Sequence, residues 1–251
     1  MQHTRRSNPF FFKKLIFVPS LTLVKMLHLN ESHQYFKEGL QYISVTTLRD
    51  SWFKKFDVEE TLRKMRLKPM GKYEGMTDED IKQLWTSKGE VAAAQGTALH
   101  KHIELYYKLE PVVDASVEYA QFLDFAQEAS LVPYEIEWMV CDPETRIAGT
   151  IDFVAQNKDG TIDLYDWKRS SKVNEYTQWY SHSLVPELSH IPDTTYWKYT
   201  IQLNLYKYLV EKMGKRVRRM YLVCFHPDLL NYQRYQVAEV DLEKVLNRRK
   251  G

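Results

Sequence analysis

Residues 149–170, GTIDFVAQNKDGTIDLYDWKRS, admit one simple local structure: two alternating strands joined by a tight hairpin at Asn157-Lys158-Asp159-Gly160-Thr161. A three-residue loop of this composition forms a type I turn followed by a glycine in the left-handed region, which carries a bulge. That register pairs Asn157 with Thr161 and, counted outward, sets Asp152 directly opposite Asp166. Opposed residues share a face, and Lys168, two positions on, returns to it. A two-residue loop would have put the two aspartates on opposite faces. Facing carboxylates repel, and burying a charge costs several kcal/mol unless something pairs with it.

The spacing leaves two readings open. Either the hairpin ends at the surface with a solvated Asp-Lys pair, or the carboxylates hold a cation. Hard oxygen ligands suit Mg²⁺ or Mn²⁺, and a lysine beside them can orient or activate a water and stabilise charge building on a phosphate.

Three other places carry weaker signals. GTALHKHIE sets His100 and Glu104 four apart on one helix face. YEIEWMV sets Glu135 and Glu137 on one face of a strand expected to neighbour the strand of Asp152. QLNLYKY sets Gln202 and Tyr206 on one face of a helix. Each alone reads equally as a polar surface or as ordinary packing.

Around these lies a chain of 251 residues, 44% hydrophobic, enough to bury one full core. The net charge of +2 neither announces nor excludes a nucleic-acid groove. Two cysteines, Cys141 and Cys224, make no disulfide framework and point to a reduced, intracellular setting. No apolar run reaches a membrane span. Residues 1–30 are basic, with no acidic residue before Glu31, and read as a targeting or disordered extension outside the fold; cytoplasm, nucleus and mitochondrion all stay open. Residues 31–251 read as a single domain.

A short hairpin is expected at Lys37-Glu38-Gly39, with Ser44 or Thr46 capping a helix. Thr77 is a natural cap for a helix opening at Asp78-Glu79-Asp80. A long helix over Lys88–Leu109 is interrupted at Gly96, where close packing or a bend is expected. The helix through YWKYTIQLNLYKYLVEKM, capped by Asp193 or Thr194, ends at Gly214, and RRMYLVCFHP is the last strand. The long polar stretch 171–195 is of a length that usually serves function or is disordered.

In chain order, His100, Glu137, Asp152, Asp166-x-Lys168 and Gln202-x-x-x-Tyr206 resemble the PD-(D/E)XK nucleases of the RecB-like branch, which includes phage and viral, CRISPR-associated and mitochondrial genome-maintenance exonucleases. The resemblance covers roughly residues 40–225 and is most specific in AGTIDFV and LYDWKRS; YISVTTL and AAAQGTALHKHIE also look like this family's opening. It implies an α/β fold with a restriction-endonuclease-like PD-(D/E)XK core, a central mixed β-sheet flanked by helices, and an N-terminal helical region.

The same resemblance makes His100, Asp152 and Asp166 ligands of Mg²⁺ or Mn²⁺ and Lys168 the catalytic lysine. Glu137 fits the upstream acid better than Glu135, which stays open. Gln202, Tyr206, Glu104 and Arg169 would contact the substrate or brace the site. The Fe-S cluster of several relatives needs four cysteines and is not expected here. The implied activity is a metal-dependent DNA exonuclease of recombination, repair or replication, acting on single strands or free ends. A structure-specific or nicking endonuclease and an inactive DNA-binding module of the same fold are the alternatives. Stacking faces for DNA would come from Tyr165, Tyr176, Trp179, Tyr180, Tyr196, Trp197 and Tyr199, with Trp167 turned into the core, and phosphate contacts from Arg169, Lys172 and Lys198.

Overall fold

The computed structural model describes residues 27–30, 34–68, 71–173 and 181–249. Most of the basic N-terminal stretch, residues 1–26, lies outside them. Its last part does not: Leu27–Leu29 forms strand β1, paired antiparallel with β2 (Tyr35–Lys37), so the fold begins before residue 31. β2 turns into β3 (Leu40–Ser44) through Glu38 and Gly39, both at positive φ, as the twist of a two-residue hairpin requires.

The helices begin where side chains can satisfy their free N–H groups. Ser44 caps α1 (Val45–Ser51), and Asp57 caps α2 (Val58–Arg66). Thr77 and Asp80 form a reciprocal capping box at α3 (Asp78–Tyr107). This helix runs unbroken through Gly96, where an added Cβ would meet nothing within 4 Å. The glycine therefore marks no close approach, and it costs about 1 kcal/mol against alanine. Ser116 caps α4 (Val117–Ala129), and Thr194 caps α5 (Thr195–Lys212), which closes at Gly214.

Strands β4 (Pro133–Asp142), β5 (Ile147–Gln156), β6 (Ile162–Lys168), β7 (Val217–Cys224) and β8 (Gln233–Gln236) complete a mixed sheet in the order β1-β2-β3-β5-β6-β7-β8, with β4 along β5. β3 with β5 and β6 with β7 are parallel. The exposed edge strand β8 was not anticipated, because QRYQ lacks the apolar alternation of a half-buried strand. A short helix α6 (Glu243–Asn247) follows. Helices cover both faces. α1, α5 and α6 pack on one core with Ile151, Leu164 and Leu222, and α3 and α4 on the other with Phe153, Trp167 and Phe225.

The β5–β6 hairpin has the register read from its loop. Phe153 pairs with Tyr165 and Gln156 with Ile162, Asn157 N–H donates to Thr161 O at 2.9 Å, and Gly160 has φ +81°. The ladder ends at Phe153 and Tyr165, and Asp152 and Asp166 follow one residue beyond it, close enough for their charges to interact. There the sheet opens. β4 occupies one edge of β5 along its length, while the other edge is shared by β3, at Ile147 and Ala148, and β6, from Phe153 on. Gly149–Asp152 lies in the fork between them.

Candidate active site

The fork is filled by α5. An added Cβ on Gly149 would lie 2.6 Å from Tyr206 Cε1 and 3.1 Å from Val45 Cγ2, so the glycine is what lets Tyr206 seat against β5. α5 is buried on all sides from Thr200 to Tyr206, which its mixed polar and apolar sequence conceals. Two of its buried polar side chains are bonded inside, while the Thr200 hydroxyl has no partner among the described residues. Gln202 Nε2 donates to Asp166 Oδ1 at 2.7 Å, and Asn204 bonds Thr200 O, Ala238 O and Val240 N. Gln202 and Tyr206 are each 4% exposed, so both side chains lie inside the fold.

Asp152 is fixed by the strand opposite: Trp167 N–H donates to its Oδ2 at 2.7 Å. Its Oδ1 faces His100 Nδ1 at 3.7 Å. His100 comes from α3, on the other face of the sheet, and its Nε2 meets Trp167 O at 2.9 Å. A carbonyl only accepts, so Nε2 is the donor, and in the neutral ring the lone pair of Nδ1 points at Asp152. Two electron-rich atoms aimed at one point suit a cation between them.

Glu137 completes the group. Donor atoms of His100, Glu137 and Asp152 all lie within 4.8 Å of one another, each side chain half-buried. Glu137 reaches this position through an irregularity. Its φ is +50°, which is uncommon for a residue with a Cβ, and it breaks the alternation that would have placed Glu135 beside it. β5 changes phase at the same level: Ile151 joins the α5 core and Phe153 the α4 core, although a regular strand would put both on one face. Glu135 stands apart, within the influence of Lys215. Burial, then the charges of Asp152 and Glu104, pushes the Glu137 carboxyl up to about 8.

Asp166 is not among these three residues. It is 1% exposed, takes the Gln202 amide on Oδ1, and forms an ion pair with Lys168 Nζ at 2.6 Å through Oδ2. Burial pushes its carboxyl upward, and Lys168 opposes that rise. Burial alone would lower the ammonium of Lys168; the carboxylates of Asp166 and Asp152 outweigh it and hold the group up to about 12. The Lys168 Nζ also sits 5.0 Å from the ring centroid of Tyr199.

Two expected substrate contacts are otherwise engaged. Arg169 Nε donates to Glu118, with both side chains nearly buried, so it pins the end of β6 to α4. Glu104 is held on α3 by Lys101 and Lys108, and its negative charge disfavours contact with a polyanion. Lys198 pairs with Asp193 at 2.7 Å. Tyr165, like Trp167, is core: the two are 3% and 1% exposed and pack among Phe125, Phe153 and Tyr221. Tyr196, Trp197 and Tyr199 are partly buried against the α5 core. Tyr176, Trp179 and Tyr180 lie outside the described residues.

The described end of the long polar connection is packed. Ser183 Oγ and Leu184 N–H both donate to Trp52 O, and Leu188 and Ile191 are buried. Arg49 is the site residue that sequence reading missed. It sits in α1 and donates to Gln202 Oε1, a contact across 153 positions that no local pattern announces.

Among the described residues, no helix is long and apolar enough to cross a membrane. One imidazole nitrogen and two carboxylates at these separations fit a divalent cation that accepts nitrogen and oxygen donors. Comparison with curated proteins found no match. Three solved structures are similar: SSO0001 (18% identity, TM-score 0.31, 52% of this chain and 56% of that one), an alkaline exonuclease from Laribacter hongkongensis (10%, 0.43, 83% and 83%) and a putative exonuclease from Eubacterium rectale (10%, 0.40, 62% and 63%). At these scores none of the three bears on activity. A family model described as PD-(D/E)XK nuclease superfamily matches residues 108–248, a span that includes Glu137, Asp152, Asp166, Lys168 and Gln202. The chain belongs to the PD-(D/E)XK nuclease superfamily, whose members use divalent metals.

Proposed function

We propose that this chain is a divalent-metal-dependent deoxyribonuclease that degrades DNA from an end. The observation that carries the reading is the convergence of His100, Glu137 and Asp152 within 4.8 Å, beside an Asp166–Lys168 ion pair. The end-directed activity rests on the order of these motifs, which is that of RecB-like exonucleases.

His100, Glu137 and Asp152 would hold the ion, with Asp166 at its margin. Mn²⁺ suits the mixed donors at least as well as Mg²⁺, since the imidazole adds a nitrogen to the carboxylates. The ion, when bound, supplies Lewis-acid polarisation of a phosphate oxygen and lowers the pKa of a nearby water. Lys168, kept charged by its carboxylate neighbours, orients the attacking water and stabilises negative charge as it grows on the phosphate. Gln202 holds Asp166 in place, and Tyr206 closes the fork behind it.

Linear and covalently closed circular DNA, single- and double-stranded, incubated with Mn²⁺ or Mg²⁺ tests the reading. Degradation of linear molecules with circles left intact is the expected result. Cleaved circles would make the protein an endonuclease. Tight binding of DNA without cleavage under either metal would make it a binding module.

A further inference from the structure

Arg49 is built into the site without touching its cation ligands. Its side chain is 12% exposed and is gripped by Asp50, whose Oδ1 accepts from Nε at 2.8 Å and lies 2.7 Å from Nη2. Nη1 donates to Gln202 Oε1, and Gln202 Nε2 donates in turn to Asp166 Oδ1. Lys168 ends the chain on Asp166 Oδ2. The guanidinium carbon and the Lys168 Nζ stand 6.0 and 5.0 Å from the ring centroid of Tyr199.

The direction of this chain matters. A glutamine side-chain amide keeps its shape when turned over but exchanges its oxygen and its NH₂ group. Turned over, Gln202 would aim its oxygen at the Asp166 carboxylate and leave two acceptors facing each other in a buried place. A guanidinium has donors only, so it can meet only the amide oxygen. Arg49 therefore admits one of the two orientations.

We propose that Arg49 is a positioning residue of the nuclease site: by fixing the orientation of Gln202 it holds Asp166 as an acceptor pair shared between Gln202 and Lys168. The inference rests on the nuclease reading of the fork. A lysine at position 49 could still donate to Gln202 but could not also keep the forked grip on Asp50, so it restores the effect in part.

The test compares Arg49→Ala, Arg49→Lys, Gln202→Ala and the double variant Arg49→Ala/Gln202→Ala in the full chain, by steady-state cleavage of linear DNA and by NMR of the Gln202 side-chain amide. Arg49→Ala should lower kcat about 10- to 100-fold, the range for residues that orient functional ligands through a neighbour. KM should change by less than about threefold, since an interaction with bound substrate is not what is lost. Arg49→Lys should recover part of the rate. The double variant should be no slower than Gln202→Ala alone, because Arg49 acts through Gln202. The Gln202 amide protons should exchange slowly in the wild type and in Arg49→Lys and fast in Arg49→Ala, or in Arg49→Met where the alanine variant does not fold. A raised KM with unchanged kcat, additive losses, or an amide indifferent to residue 49 would overturn the proposal. A wild-type protein inert toward DNA with every metal would sink the nuclease reading instead, and the amide measurement would still decide whether Arg49 orients Gln202.

Discussion

Tyr206 occupies the space that a side chain at position 149 would need: a Cβ there would lie 2.6 Å from its Cε1. The glycine of the GTID segment thus sets how deeply α5 enters the fork, and with it where Gln202 meets Asp166. Gly149→Ala should destabilise the protein by about 1–3 kcal/mol, the usual range for an overpacked core. Tyr206→Phe keeps Cε1 and should not relieve the clash; Tyr206→Leu should recover part of it. Urea denaturation of the three variants measures this, and a neutral Gly149→Ala would mean that α5 is free to move outward.

Glu137 makes metal affinity depend on pH. In the metal-free protein its carboxyl is pushed up to about 8 by burial and by the charges of Asp152 and Glu104, so near neutrality it holds a proton that a cation must displace. Apparent Mn²⁺ affinity should rise with pH and level off above about 8, and calorimetry in buffers of different ionisation enthalpy should show proton release on binding. The sign for folding is the reverse. A carboxyl whose folded value lies above its unfolded one favours the folded state at low pH, and that contribution fades as pH rises through about 8. Glu137→Gln should flatten both dependences.

Arg169 should behave as a structural residue. Its partner Glu118 is 11% exposed and its own side chain 12%, so Arg169→Gln leaves a nearly buried carboxylate unpaired, at a cost of about 3 kcal/mol. A residue that contacts phosphate would instead reduce the slope of log K against log salt for DNA binding by about one when removed. The expected result is lower stability with an unchanged salt slope.

The hairpin was legible because its signals are local. Asn157 through Thr161 specify a loop length, and loop length specifies the register that the ladder keeps as far as Phe153 and Tyr165. The cap at Thr77 was readable for the same reason, since side chain and backbone donor lie within three residues, while Ser44 and Thr194 were each one of two candidates. What stayed hidden depends on distant contacts or on backbone irregularity. Nothing local distinguishes Arg49, which meets Gln202 from another helix, or Arg169, whose partner lies 51 positions away. Alternation placed Glu135 and Glu137 together, and the positive φ of Glu137 separates them. The exposed β8 follows from pairing with β7, which its own composition does not advertise.

Metal-dependent cleavage should depend on Asp152, the residue shared by the His100 contact, the Trp167 amide and the candidate metal group. End-labelled linear DNA is incubated with wild type and Asp152→Asn in Mn²⁺, Mg²⁺ or EDTA, with folding of both proteins checked by thermal melting. Degradation by wild type with metal, none with EDTA, and a rate for folded Asp152→Asn reduced by about 10²-fold or more are the expected results. Cleavage that persists in EDTA, or an Asp152→Asn variant as fast as wild type, would contradict metal-dependent cleavage through Asp152.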